Sequence, residues 1–284
     1  MNALAVTAGT VRRIGSHLGG AVGLVIVAVV VLSAVFAPLV ATHDPDALDV
    51  LNRFSGPTAQ HWLGTDHLGR DLYSRLVHGA SVAMAVALTA ISTALIAGTL
   101  LGILAASLPA RSERLILILF DVVSSFPSLV LALAAVAVFG PSTMLVVIIV
   151  AVTLIPHFGR VARAQVLAVR SAPYIEAERL LGASSWRIVF SHILPNIAGP
   201  LVVLASIDIP VVITIEAGLS FIGLGVRPPL ASWGTLIYDG YAYLSDSKLP
   251  VVIASSALGL ATLGFTLFGE ALRDAVDPRL DGER

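Results

Sequence analysis

The sequence predicts an all-α integral membrane protein with six transmembrane helices and both termini on the cytoplasmic side. Three observations carry that expectation. Of 284 residues, 57% are hydrophobic and only 12% charged, whereas a soluble domain uses roughly 25% charged residues to keep its surface wet. The mean hydropathy is accordingly high, at +0.92. The apolar residues are gathered into long runs that are apolar all round, not on one face, as lipid-embedded helices are. Finally, the basic residues alternate between the segments that separate those runs.

A span needs about 20 mostly apolar residues to cross about 30 Å of hydrocarbon. Gly19 to Ala41 is the first such run, and it gives way at Pro38 and His43-Asp44-Pro45-Asp46. The second runs from Gly79 to Leu108 and stops at Pro109 and Arg111. The third follows Arg114 and reaches Phe139, with Gly140-Pro141 as its breaker. The fourth covers Ser142 to Phe158, the fifth Ile197 to Glu216 and the sixth Pro250 to Phe268. The expected organisation is therefore an N-terminal segment 1–18, a first helix 19–41, an extracytoplasmic segment 42–78, a five-helix core 79–272 and a C-terminal tail 273–284. A long cytoplasmic loop interrupts the core at about 160–195.

One set of alternating segments holds Arg12, Arg13, Arg111, Arg114, Arg160, Arg163, Arg170, Arg179, Arg187, Arg273, Arg279 and Arg284. The opposite set holds Arg53, Arg70, Arg75, Arg227 and Lys248. Twelve against five places the termini in the cytoplasm. Arg12-Arg13 before an apolar run resembles a secretory leader, but that run is too long for one and five more spans follow. Gly19 with Gly23, and Gly98 with Gly102, have the small-xxx-small spacing of close helix crossings, or simply reflect the abundance of Gly in membrane helices.

Several chemistries are excluded. The net charge of −1 provides no field for nucleic acid. Without cysteine there is no disulfide scaffold and no thiolate metal site. A phosphate-binding loop needs Gly-Lys-Ser/Thr, and the only lysine, Lys248, stands between Ser247 and Leu249. No His-Glu-x-x-His motif occurs, and Gly218-Leu219-Ser220-Phe221-Ile222-Gly223 lacks the spacing and preceding strand of a nucleophile elbow. The chain is expected to be no enzyme, with no catalytic residues, cofactor or metal of its own.

The segment from about Arg160 to Pro195 reads as helix, break, helix. Ser171 is a candidate cap and Pro173 suits a first turn, where its missing N–H does no harm. Glu176 and Glu178 lie early, where the helix dipole favours acids. Gly182 suits the left-handed residue that ends a helix. Ser184 or Ser185 can cap a second helix through Trp186, Arg187 and Ile188, closed by Pro195. Leu180, Leu181, Trp186 and Phe190 remain available for packing. On residues alone, this hairpin is equally a loop lying on lipid headgroups or a rigid lever docked into a partner.

Glu176-Ala177, then Gly182, then Ile193-Leu194-Pro195 resembles the EAA loop of binding-protein-dependent ABC importer permeases, with Glu178 where that family usually has Ala. The likeness extends to His61-Trp62-Leu63-Gly64-Thr65-Asp66-His67-Leu68-Gly69-Arg70-Asp71, to Gly218 through Gly225 with Pro228-Pro229 and Ser232-Trp233-Gly234, and to Leu272 through Leu280. Together these resemble dipeptide/oligopeptide C-type permeases of the type I importer fold, in a bacterial cytoplasmic membrane. The resemblance implies a second homologous permease, two ATPase subunits that bind ATP and Mg, an extracytoplasmic substrate-binding protein, and peptide as cargo. Nickel chelates or glutathione are the alternatives within the family. It also makes the hairpin the coupling element, through Glu176, Ala177, Glu178, Gly182, Ala183, Ser184, Trp186, Arg187, Ile193, Leu194 and Pro195.

His61, Asp66, His67, Asp71 and His78 include metal-ligand types, but Gly64, Gly69, Arg70 and Arg75 among them favour a hydrogen-bonded, ion-paired turn leading into the second span. Asp121 with Ser124 and Ser125, Asp208 before Pro210, and Glu216 are acids or hydroxyls within spans, where charge is costly and faces the bundle interior. These residues are candidates for the translocation pathway, or for ties between helices. Pro228-Pro229 and Trp233 suit a re-entrant segment or a plain interfacial anchor. From another class, the same acids would serve an ion-driven secondary transporter, which would need no docking hairpin and often carries inverted repeats, not evident here.

Overall fold

A computed structural model describes residues 17–276. Arg12, Arg13, Arg279 and Arg284, and the end of the Leu272–Leu280 motif, lie outside the described residues. Among the described residues, five helices are long and apolar enough to cross a membrane: α1 (Leu18–Val35), α3 (Leu72–Ser107), α6 (Thr143–Arg170), α9 (Leu194–Phe221, entered from Ser185) and α11 (Leu249–Val276). A short α2 (Ala37–Val40) follows α1.

The third apolar run does not form one straight span. It is α4 (Ala110–Ser124) and α5 (Ser128–Phe139), bent by 82° at Ser125-Phe126-Pro127. Proline disfavours helical backbone in the residue before it and brings no N–H of its own. Ser125 also turns its Oγ back onto the Asp121 carbonyl at 2.7 Å. Hydropathy counts apolar residues and is blind to the direction of the chain.

The 36 residues of α3 rise about 54 Å at 1.5 Å each, so this helix extends well past the hydrocarbon. Ala80, Ala83, Ala87, Ala90 and Ala94 form a buried stripe along it, continued by Gly98 and Gly102. Small residues let backbones approach closely where lipid offers no hydrophobic drive for association. The most extensive helix pair, α3 with α6, exploits this. A Cβ on Gly102 would lie 2.5 Å from the Gly159 carbonyl oxygen, and one on Gly98 2.7 Å from that of Ile155. The Gly98–Gly102 spacing is thus a true crossing. In α1, Gly23 behaves so, meeting Phe268 N of α11 at 2.6 Å, while Gly19 approaches the Leu267 tip at 3.8 Å.

Hydroxyls recur near the prolines inside spans. In α9, which contains Pro200 and Pro210, Ser206 Oγ donates to the Val202 carbonyl and Thr214 Oγ to that of Pro210, each at 2.8 Å. In α6, which contains Pro156, Thr153 Oγ donates to the Val150 carbonyl at 3.0 Å.

Trp233 is no interfacial anchor. It opens a ten-residue helix, α10 (Trp233–Ala242), fixed by a reciprocal Ser232–Thr235 capping box. Its side chain is buried, and Nε1 donates to the Leu76 carbonyl of α3 at 3.0 Å.

Candidate functional site

The hairpin grows from the C-terminal end of α6. Arg170 Nη1 donates to the Ala106 carbonyl at 2.7 Å and ties that end to the end of α3. Ser171 does not cap the following helix. Its Oγ turns back to the Ala168 carbonyl at 3.0 Å, and Ala172 is the N-cap. The first limb, α7 (Pro173–Leu180), begins with Pro173 in its first turn and carries Glu176 there. Gly182, at φ +82°, ends it. Gly182 N–H donates to Arg179 O and Ala183 N–H to Glu178 O, both at 3.0 Å, which is the Schellman pattern. Ser184 then caps α8 (Ser185–Ile188) by accepting from the Arg187 N–H at 3.3 Å.

Pro195 does not close the second limb. Val189–Ile193 form a π turn in which Leu194 N–H reaches Val189 O, and the helix continues through Pro195 into α9. A proline ring clashes with the carbonyl four residues back in a regular helix; the wider π turn relieves that clash and leaves the helix continuous from hairpin to span.

Ile175, Ile188, Ile193 and Ile197 are buried and seat the hairpin on the bundle. His192 Nε2 lies 3.5 Å from Glu178 Oε1, and Asn196 Nδ2 donates to Tyr174 Oη at 3.3 Å, so the limbs are also joined by polar contacts. The opposite surface is exposed: Leu180 at 90%, Leu181 at 84% and Trp186 at 73%. Trp186 stacks on Phe190 at 5.6 Å. Glu176, Ala177, Arg179 and Arg187 surround these groups and are also exposed. A preshaped apolar patch with a charged rim can dock a partner groove without reorganising.

The acids within the spans fall into separate places. Asp121 Oδ1 accepts from Arg160 Nη2 at 2.8 Å, with Ser124 Oγ 3.4 Å from the same nitrogen; both ends of the ion pair are exposed. Asp208 is largely buried and its Oδ2 lies 3.5 Å from His157 Nε2. His157 and Arg160 are one turn apart on α6, so Asp121 and Asp208 approach the same stretch of that helix. Glu216 is not part of this group. It is fully buried eight residues further along α9 and accepts from Ser220 Oγ at 2.7 Å; that oxygen in turn accepts from Val226 N–H at 3.0 Å. His157, a lone imidazole in an apolar run, was missed in the sequence, where Arg160 served as a boundary and as one of the basic residues that set orientation.

At the opposite end of α3, residues 61–71 form an ion-paired turn that leads into the helix. Gly64 and Gly69 have φ of +79° and +78°, and a Cβ on Gly69 would collide with the Asp49 carbonyl. Asp66 accepts from Leu68 N at 2.8 Å, Arg70 N at 3.0 Å and Arg70 Nε at 2.6 Å. Arg70 reaches Asp239 at 3.2 Å, and the fully buried Arg75 reaches Asp46 at 3.2 Å and the Pro45 carbonyl at 3.1 Å. Burial pushes the His67 imidazole below its usual pKa, and Arg70 and Arg75 add to this against the opposing pull of Asp239 and Asp66. Asp71 is the N-cap of α3. Burial raises its carboxyl pKa, but hydrogen bonds from Ser74 N–H, Ser74 Oγ and His61 outweigh burial and leave it below the usual range.

Residues 98–282 match the family of binding-protein-dependent transport system inner membrane components, and residues 8–57 match the N-terminal TM domain of oligopeptide transport permease C. A probable D,D-dipeptide transport system permease of Escherichia coli (strain K12) is 40% identical, over 92% of this chain and 87% of its own. A dipeptide transport system permease of Alkalihalophilus pseudofirmus is 38% identical over 91% and 85%. A glutathione transport system permease of Pectobacterium atrosepticum is 35% identical over 95% and 89%. In three dimensions, a chain of the inward-facing MetNI methionine ABC transporter superposes with a TM-score of 0.59 at 19% identity, over 72% of this chain and 96% of that one.

Proposed function

The chain belongs to the binding-protein-dependent transport system inner membrane components, and from that premise we propose that it is the peptide-translocating permease of a bacterial ATP-driven importer, worked through its α7–α8 hairpin. It is a multi-pass inner-membrane protein with the type I importer permease fold, and peptide is its cargo. Peptide permeases that align over about nine-tenths of this chain support the cargo. The exposed Leu180, Leu181, Trp186 and Phe190 patch supports the mechanism, because groups this apolar outside the spans call for a partner.

In this reading the termini and the hairpin face the cytoplasm. Two ATPase subunits that hold ATP and Mg receive the hairpin between Glu176 and Pro195. A second, homologous permease completes the pathway, and an extracytoplasmic binding protein delivers cargo to the far side. ATP binding closes the ATPases, and their movement passes along the continuous span from Ser185 into α9. Asp121 with Arg160, together with Ser124 and Ser125, and Asp208 with His157 then offer alternating charge to the zwitterionic ends of a peptide. Glu216, closed in by Ser220, serves to tie α9 to the segment that follows it.

Uptake in vesicles that contain the candidate ATPases and binding protein tests this. ATP alone, with no ion gradient, is expected to drive peptide accumulation. Accumulation that needs only a proton gradient would transfer the acids to the secondary-transporter reading. Because one of the relatives is a glutathione permease, glutathione belongs beside dipeptides and oligopeptides in the substrate panel.

A further inference from the structure

At the end of α3 away from the hairpin, two imidazoles and one carboxylate that have no part in that mechanism converge. His61 Nδ1 lies 2.9 Å from Asp71 Oδ1 and His43 Nδ1 lies 3.9 Å from the same oxygen. The three side chains' ligand atoms are all within 4.8 Å of one another. A four-coordinate ion with ligands at about 2.0–2.2 Å holds its donor atoms a little over 3 Å apart, so closure needs only small side-chain rotations.

The carboxylate is built as ligands usually are. Asp71 is buried and its Oδ2 is already engaged, accepting from Ser74 N–H at 2.8 Å, Ser74 Oγ at 2.7 Å and Thr42 Oγ at 3.3 Å. Those bonds fix the group and leave Oδ1 for the imidazoles, which is the orienting role of outer partners at metal centres. The mount is rigid, since Asp71 caps a 36-residue helix. The site is also accessible, with the His43 side chain 38% exposed.

A second cluster, Asp66, His67 and Asp239, provides the contrast. Its carboxylates are taken by Arg70 and Arg75, so a cation there would face two guanidinium groups. Asp71 has no Arg or Lys within ion-pair distance among the described residues; its charged-pair contacts are His43 and His61. A buried carboxylate faced only by two imidazoles is one that an added dication would neutralise.

We propose that His43, His61 and Asp71 form a site for a resident divalent transition ion of the zinc class, bound by two imidazole nitrogens and one carboxylate oxygen. Imidazole with carboxylate suits zinc and its neighbours and does not suit magnesium or calcium, which prefer all-oxygen sites. The ion joins the chain just after α2 to the loop at residue 61 and to the start of α3. It thereby clamps the whole outer segment against the second span.

The test uses the full-length, untagged chain in detergent, stripped with a chelator and titrated with Zn²⁺ alone against a chromophoric competitor. Co²⁺ substitution provides a spectroscopic signature of tetrahedral ligation. One ion per chain is expected. His43→Ala, at an exposed position, and His61→Ala should each weaken binding by more than about a hundredfold, beyond the roughly 10–100-fold that losing an outer partner alone costs, and should remove the visible cobalt bands. His67→Phe, in the other cluster, should leave both unchanged. Failure to bind one equivalent, or binding that survives His43→Ala with its cobalt bands intact, would overturn the proposal. So would loss of binding in His67→Phe. Should His61→Ala fail to fold, the exposed His43→Ala decides alone.

Discussion

Arg75 has the largest fully buried side chain among the described residues, and its guanidinium reaches Asp46, Asp66 and the Pro45 carbonyl. Removing one partner of a buried ion pair strands the others and costs about 3–5 kcal/mol. Arg75→Met keeps the stem and deletes the charge, so it is expected to lower unfolding free energy by about 3 kcal/mol, at the low end of that range because Arg70 still faces Asp66. Thermal or denaturant unfolding in detergent measures it. His67 gives the ion-paired cap a pH dependence. Its pKa is held below the usual value, so the unfolded chain takes up a proton first as pH falls. Stability is complete above about pH 6.5, the unperturbed His value, and declines below it. His67→Phe, which keeps the stack on Tyr243 at 4.6 Å, should flatten that decline when unfolding is followed from pH 7.5 to 5.5.

The elements were legible in the sequence to different degrees. Run length and apolarity locate α1, α3, α6, α9 and α11, because burial in lipid leaves no other place for such residues. The 82° bend between α4 and α5 was missed, although Pro127 marks it, since an apolar count carries no direction. In the hairpin, Gly182 ends the first limb as its sequence position implies, and of the two candidate caps, Ser184 and Ser185, the structure uses Ser184. Ser171 and Pro195 were misread. A serine beside a helix end can bond backward or forward, and a proline that ordinarily stops a helix is accommodated here by a π turn. His157 and the depth of Trp233 depend on contacts between distant helices, which spacing along one chain cannot supply. At this scale the exposed hairpin patch makes its own prediction. Trp186 is 73% exposed and stacked on Phe190, so Trp186→Ala should leave the fold intact. It should weaken association with the proposed ATPase subunits by about 2 kcal/mol, as for an aromatic interface anchor, or roughly thirtyfold. Co-purification or surface-binding kinetics would read this.

Taken whole, the molecule has two reinforced ends with a proline-bearing bundle between them. One end is the ion-paired cap around Asp66, Arg70 and Arg75; the other is the hairpin tied by Arg170 to α3. Close glycine crossings lock α3 to α6, while α8, the π turn and α9 run as one span from Ser185 to Phe221. On the proposed reading, a push on the hairpin would travel along α9 past Asp208 and its contact with His157 of α6. The central claim is that this hairpin couples ATP hydrolysis to peptide movement, and Gly182 is its most exposed dependency. Nothing lies within 4 Å of a Cβ built there, yet φ is +82°, so a β-branched residue strains the turn by about 1–3 kcal/mol without disturbing the spans. The most direct measurement is ATP-driven peptide uptake by the assembled transporter in proteoliposomes, wild type against Gly182→Val at equal membrane insertion. The account predicts that the variant inserts normally and loses uptake; full uptake by an inserted Gly182→Val transporter would contradict it.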